Sequence, residues 1–398
     1  MWIIHILFPL FLVFQSNSFT AAMDAKALAS AVAKFSAKFC NELDKSKSVV
    51  SSPLSAEILL ALLTLGTTDP AHTELLTSLG IPDDESIRSG FALVTEKLKS
   101  IKGVTLNVAN KVYVMKGDYD LHSELKQDAI KVFDADFESV DFNAAAAAAS
   151  LINKWVEAKT NNRIKDLISP DSLDGLTRLV LVNAIYFKGT WAKQFDKHNT
   201  MDQPFHVTPS STIQVPMMYK EDDFRYGESE ALNAQLLEMN YVGGEASMLV
   251  VLPRKVDGLN GVLKKLADGY DLLADVEKNM YSTKVQVTIP KFKIETEIDL
   301  NDLLPKLGIK AIFEQSTSGL TKVLNCDEPL YVSKAVQKAF IEVNEEGAEA
   351  AAATGMVMMM RCAPPPSLEF RADRPFLYML TVNNARTTLF VGVYNEKQ

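Results

Sequence analysis

VNEEGAEAAAATGMVMMMRCAPPPSLEF, Val343 to Phe370, decides how the rest of the chain is read. It continues from Phe340-Ile341-Glu342-Val343, an apolar run that reads as a strand. From Gly347 to Gly355 nothing is larger than Glu349, so the segment has little to bury. Alanine is the best helix former, and a helix is one reading. Two glycines flank that run, however, and Pro364-Pro365-Pro366 downstream cannot join a sheet ladder. The other reading is a long exposed loop; such loops in compact domains are uncommon and usually functional.

On either side the composition is globular: 398 residues, 47% hydrophobic and 23% charged. The net charge of −9 repels polyphosphate and argues against nucleic acid as a partner. Lys97, Lys99 and Lys102 are the nearest thing to a basic cluster and read as a solvated helix face. Ile3 to Phe14 is almost unbroken apolar sequence, followed by Gln15-Ser16-Asn17-Ser18. It is shorter than the roughly 20 residues a membrane span needs. Residues 1–18 therefore read as a signal peptide, although no Lys or Arg precedes the apolar run. No later stretch is long and apolar enough to span a bilayer, so the expected product is secreted and makes no membrane contact. Cys40, Cys326 and Cys362 cannot all pair within one chain, so no disulfide framework is expected.

Leu28, Val32, Phe35 and Phe39 recur at helical spacing after Asp24, a good N-cap. Ser52-Pro53 opens a second apolar helix reaching Leu65. Ala144 to Ala149 leads into a helix whose apolar face is expected at Leu151, Ile152, Trp155 and Ala158. Strands are expected at Leu106–Val114, Leu179–Phe187, Met248–Leu252, Val285–Ile289, Phe376–Val382 and Leu389–Tyr394. The second of these is continuously apolar and so covered on both faces. Helices first, then strands with helices among them, is an α+β pattern, and no linker divides it.

Enzyme signatures are missing. The histidines (His5, His72, His122, His198, His206) are scattered, and no His/Cys spacing resembles a zinc site. There is no G-x-S-x-G, G-x-G-x-x-G or P-loop. Neither catalysis nor a cofactor or metal is expected.

Val343 to Thr354, VNEEGAEAAAAT, resembles the hinge of inhibitory serpins, especially those of insect haemolymph. SSPLSAEILLALLTLG (Ser51–Gly66), NVANKVYV (Asn107–Val114), LVNAIYFKGTW (Leu181–Trp191) and SMLVVLP (Ser247–Pro253) also match family motifs, in order. So do VTIPKFKIE (Val287–Glu295), FRADRPFLYML (Phe370–Leu380) and LFVGVY (Leu389–Tyr394). The resemblance implies one α+β serpin domain, residues 19–398, with about nine helices, a large central sheet and two smaller ones. It implies an exposed reactive-centre loop at about 345–366, which an extracellular serine protease attacks. The acylated loop then inserts into the central sheet and carries the protease with it, in a covalent complex formed by a monomer. Strand insertion of this kind is a known mode of stored strain and strand addition.

The hinge residues, Glu345, Glu346, Gly347, Ala348, Glu349, Ala350, Ala351, Ala352, Ala353 and Thr354, suit that role. In an inserted strand Ala348, Ala350, Ala352 and Thr354 would share the core face, and Glu349 the opposite one. Gly347 to Arg361 reaches roughly 46 Å at ~3.3 Å per residue.

Family spacing from the hinge glycine places the scissile bond at Arg361–Cys362. Arg361 is also the sole basic residue between Lys338 and Arg371. Trypsin-like enzymes hold an Arg at that position against an acidic pocket. The alternative is cleavage after Met360 or Met359 by a chymotrypsin- or elastase-like enzyme. Met356, Met358, Met359 and Met360 would fill apolar subsites and be open to oxidation. Cys362 is either a reactive thiol or simply a small residue after the bond.

By resemblance Asn183 belongs to a shutter beneath the central sheet with Ser52 and Ser55. Gln337 and Arg374 stand where the family commonly has histidines, and Trp191 resembles the tryptophan under the mouth of the sheet. The leading reading is a secreted suicide-substrate inhibitor of trypsin-like proteases in haemolymph cascades of innate immunity. The rival is a non-inhibitory carrier or storage serpin, although carriers often place bulky or charged residues where Ala348 to Ala352 stand.

Overall fold

Buried apolar side chains run continuously from the first helix to the last strand and link two sheets. This computed structural model describes residues 23, 25–117, 120–325, 328–345, 367–382 and 387–396. The expected signal peptide, Asp24, Cys326 and Glu346 to Pro366 lie outside the described residues.

The first part of the chain forms α1 (Ala25–Glu42), β1 (Val49–Ser51), α2 (Pro53–Leu65), α3 (Ala71–Leu79) and α4 (Asp84–Ser100). Next come β2 (Val104–Met115), α5 (Ser123–Lys131), β3 (Asp136–Val140), α6 (Ala145–Lys159) and β4 (Leu179–Gly189). The middle is β5 (Met201–Thr208), β6 (Ser211–Ser229), β7 (Ala234–Asn240) and β8 (Ala246–Pro253). It is followed by α7 (Leu259–Ala267), α8 (Leu272–Asn279), β9 (Tyr281–Pro290), β10 (Phe292–Asp299) and α9 (Leu300–Leu303). The end is β11 (Val332–Val343), β12 (Leu368–Arg371), β13 (Phe376–Val382) and β14 (Thr387–Tyr394).

The five-stranded sheet has the order β10-β11-β4-β2-β3, with three strands of eleven or twelve residues at its centre. The other sheet runs β1-β14-β13-β8-β7-β6-β9-β12, with β5 attached to β6. Among the described residues two hydrogen-bonded sheets stand, where one large sheet and two smaller ones were expected. The 19-residue β6 pairs with β5 and β9 along its first part and with β7 towards its end, which joins two of the expected sheets into one.

Helix α2 is apolar on every side and all thirteen of its residues are buried, as a helix between layers must be. It starts where the sequence places it: the Ser52 hydroxyl accepts from Ser55 N, and Pro53 occupies the first turn, where no amide donor is needed. β4 is buried along nearly its whole length, as its unbroken apolar sequence requires. In α1, Leu28, Val32, Phe35 and Phe39 all face the core.

One expected helix face differs. In α6 the buried face is Ala148, Ala149, Ile152 and Val156, while Leu151 and Ala158 are exposed. Small alanines let the helix lie close, and that rotates the larger leucine outward. The opening third is mainly helical, as expected, with β1, β2 and β3 interleaved among α1 to α6.

Candidate functional site

β11 and β4 are neighbours and run parallel, in register from Lys334 opposite Val180 to Ile341 opposite Phe187, with an irregularity just before, between Val332 and Lys334. β4 and β2 are antiparallel. Gln337 lies opposite Asn183, and Asn183 opposite Asn110, so three amide side chains form a row across three strands. Against this row stands the start of α2. Gln337 Oε1 accepts from Ser52 N (2.9 Å), and its Nε2 donates to Ser52 O (2.8 Å) and Asn183 Oδ1 (2.6 Å). Asn183 Nδ2 donates to Ser55 Oγ and Asn110 Oδ1, and Ser55 Oγ donates to Asn110 Oδ1 (3.2 Å). Ser52 Oγ donates to Leu389 O on β14. Asn183 and Gln337 are fully enclosed and Asn110 nearly so. Unpartnered amides buried there would each cost about 1–3 kcal/mol; here every one is bonded.

A second cluster gathers where β4 and β11 end. Trp191 is buried, stacks on Tyr241 (centroids 4.4 Å apart, 13° between planes) and donates from Nε1 to Asn344 O at 2.8 Å. Gly189 makes room for this: a Cβ there would lie 2.4 Å from the Tyr241 ring. Phe195 N donates to Glu345 O at 3.0 Å. The buried Glu345 carboxylate accepts from Thr200 Oγ1 (2.9 Å) and pairs with Lys291 Nζ (2.9 Å). Burial pushes that carboxyl's pKa up. The hydrogen bonds from Lys291, its own amide and Thr200, with the Lys291 charge, outweigh burial and hold it below the usual carboxylate value. The backbone after β11 is thus fastened at Asn344 and Glu345. The chain is next described at Ser367, whose Oγ accepts from Gln286 Nε2 of β9 (2.6 Å), just before β12 in the other sheet.

The structure brings Ser52, Ser55, Asn183 and Gln337 into one network and sets Trp191 and Glu345 side by side. Glu346, Gly347, Ala348, Glu349, Ala350 to Ala353, Thr354, Met356, Met358 to Met360, Arg361 and Cys362 lie outside the described residues. Sequence reading missed Asn110 as a member of this network, although an amide in the alternating strand NVANKVYV, which holds Asn107 and Asn110, was a signal for it. It also missed Lys291 and Thr200, which only the fold brings to Glu345. Arg374 donates from Nε to Pro253 O (2.7 Å) and from Nη1 to Asp373.

A strand whose end leads out of its sheet, beside a parallel partner and over a buried polar row, is the arrangement of serpins. Residues 30–396 match the family model "Serpin (serine protease inhibitor)". The chain belongs to the serpin family of serine protease inhibitors. It is 46% identical to antichymotrypsin-2 of Bombyx mori over 91% of this chain and 96% of that protein. It is 45% identical to antitrypsin of the same organism, over 90% and 92% respectively. The crystal structure of Serpin48 of Tenebrio molitor, at 34% identity, superposes with a TM-score of 0.83 over 94% of this chain and 99% of that one.

Proposed function

We propose that the chain is a secreted suicide-substrate inhibitor of trypsin-like serine proteases, cleaved at Arg361–Cys362 and acting as a monomer. The observation that carries this reading is the parallel pairing of β4 with β11, whose end runs directly into the alanine-rich hinge. A segment that turned back from Glu345 between those strands would be antiparallel to both. One parallel pairing would give way to two antiparallel ones, which are somewhat more stable per residue. About a dozen new ladder hydrogen bonds at roughly 1 kcal/mol each would drive the change.

The chemistry belongs to the protease. Its serine oxygen attacks the Arg361 carbonyl carbon, the bond to the Cys362 nitrogen breaks, and that nitrogen leaves as a protonated amine. Arg361 remains esterified to the enzyme. Insertion of 347–361 then removes the ester from the geometry that water needs to attack it. Ser52, Ser55, Asn183 and Gln337 act as the shutter that must part, and Trp191 and Glu345 hold the fixed end about which the hinge turns. The two silkworm relatives, named for chymotrypsin and trypsin, are almost equally similar to this chain. The choice of protease therefore rests on Arg361 itself. Secretion rests on the apolar run Ile3 to Phe14 of the expected signal peptide, residues 1–18.

Incubation with bovine trypsin and denaturing electrophoresis test the reading. A complex that survives SDS, with the new amino terminus at Cys362, is expected. Cleaved chain without complex would make the protein a substrate. A new terminus after Met360 would move the bond and change the target class.

A further inference from the structure

The polar row holds the β4–β11 seam from one face only. Three residues further along each strand, side chains point to the opposite face. There Tyr186 of β4 lies directly opposite Phe340 of β11, with ring centroids 5.5 Å apart and planes inclined by 37°. Tyr186 is 3% exposed and Phe340 is half-buried. The pair is one register step from Phe187 opposite Ile341, the last pairing before the strands separate towards Trp191 and Glu345. A strand entering from that end meets these rings almost at once.

The segment after α6 crosses the sheet at the same place. The Arg163 guanidinium sits 5.9 Å from the centroid of the Tyr186 ring, on the β4 side. Two residues on, Lys165 O accepts from Lys338 Nζ (2.9 Å), on the β11 side. Ile164 between them is fully buried. Residues 163 and 165 of one segment thus touch both sides of the seam.

We propose that Phe340, Tyr186 and Arg163 form a clasp whose opening limits entry of the first inserted residues, so that Phe340 and Arg163 are positioning residues for the insertion step. The inference rests on the insertion reading above. Adjacent strands are about 4.8 Å apart, and one new strand doubles that spacing. Rings now in contact would be about 10 Å apart, beyond the 4.5–7 Å range in which aromatic pairs attract. The clasp is therefore lost on the way to insertion, and whatever it contributes to the closed state is added to the barrier.

The test uses the intact protein and a synthetic peptide with the sequence Gly347 to Arg361, which would fill the seam without any protease. Its uptake is followed by native electrophoresis and by the rise in Tm. Phe340→Val is expected to speed uptake roughly three- to tenfold, the factor an aromatic pair is worth. Phe340→Tyr should stay near the wild-type rate. Arg163→Met, at an exposed position, should speed uptake about two- to fivefold. Val94→Ala in α4, away from the seam, should lower Tm and leave uptake unchanged. Wild-type uptake by both Phe340→Val and Arg163→Met would overturn the clasp, and so would equal acceleration by Val94→Ala. If the wild-type protein itself takes up no peptide, the seam does not open and the insertion reading fails with it. Uptake by the wild type that is indifferent to residues 340 and 163 leaves that reading standing and removes only the clasp.

Discussion

The β8–β13 pair of the nine-stranded sheet and the β4–β11 pair of the five-stranded sheet are both buried, yet they are built to opposite ends. β8 and β13 are antiparallel, and every residue of both is buried. Leu377 faces Val251, Tyr378 faces Val250 and Met379 faces Leu249. Splitting that pair would expose apolar surface on both strands, with nothing to take its place. β4 and β11 are parallel, and on the α2 face Gln337 donates to Asn183 between them, flanked by the buried pairs Ala335–Leu181 and Ala339–Ile185. Each amide also has partners of its own: Gln337 bonds Ser52, while Asn183 bonds Ser55 and Asn110. The β4–β11 seam carries apolar contacts as well, Tyr186 on Phe340 among them. On its α2 face, however, a partnered amide row can exchange bonds as the strands part, whereas β8–β13 is apolar except at Ser247, which meets Thr381 at 3.1 Å. Under the proposed insertion, that difference marks where a new strand would be admitted.

The largest effect that would break this contrast is thermal. Cleavage at Arg361 should raise the Tm by roughly 15 °C or more, from about 12 kcal/mol of new ladder bonds spread over the unfolding entropy of a chain this long. Differential scanning calorimetry of nicked and intact protein checks it; equal melting would mean the β4–β11 seam is as closed as β8–β13. Next in size, Arg361→Ala should slow inhibition of trypsin at least about a hundredfold, on the order of 3 kcal/mol lost from the acylation barrier. Stopped-flow association rates measure this, and a retained rate would place the bond elsewhere.

Asn183→Leu sharpens the comparison by making the seam resemble β8–β13. It leaves Ser55 and Asn110 short of a donor and should destabilise the intact protein by about 2–3 kcal/mol in urea unfolding. The smallest effect is at the mouth. Lys291→Ala should cost about 1 kcal/mol near neutral pH. Because the folded Glu345 carboxyl titrates below its ordinary value of 4.5, its contribution is present above that pH and is lost as the pH falls through the folded value. The difference between wild type and Lys291→Ala should therefore shrink as the solution is acidified through that lowered folded value. A gap that stays constant would show that Glu345 and Lys291 are not coupled.

Much of this was legible in local pattern. Ser52-Pro53 announces the start of α2, and the run Leu179 to Phe187 announces a strand covered on both faces. Asn183 stands out because nothing else in that run is polar. What stayed hidden depends on residues distant in sequence. Lys291 looks like any solvated lysine until β9 and β10 carry it to Glu345. Nothing in residues 211–229 advertises a single strand, since Pro216 and the acidic stretch Glu221 to Asp223 read as interruptions. Pro216 is tolerated because its carbonyl, not a missing amide, makes the contact, accepting from Lys291 N. Leu151 misled for the opposite reason: periodicity gives a helix two candidate faces, and packing against small alanines chose the other one.

One consequence follows from where β12, β13 and β14 lie. They follow the proposed scissile bond in sequence, yet β13 and β14 sit inside the nine-stranded sheet and are buried throughout. Severing Arg361 from Cys362 would therefore make two polypeptides but not two particles. The tail from Cys362 to Gln398 would stay woven between β1 and β8, and a sizing column would record no change. With its loop buried in one sheet and its tail locked in the other, the two new ends would be held apart and could not be rejoined. Each molecule would serve once.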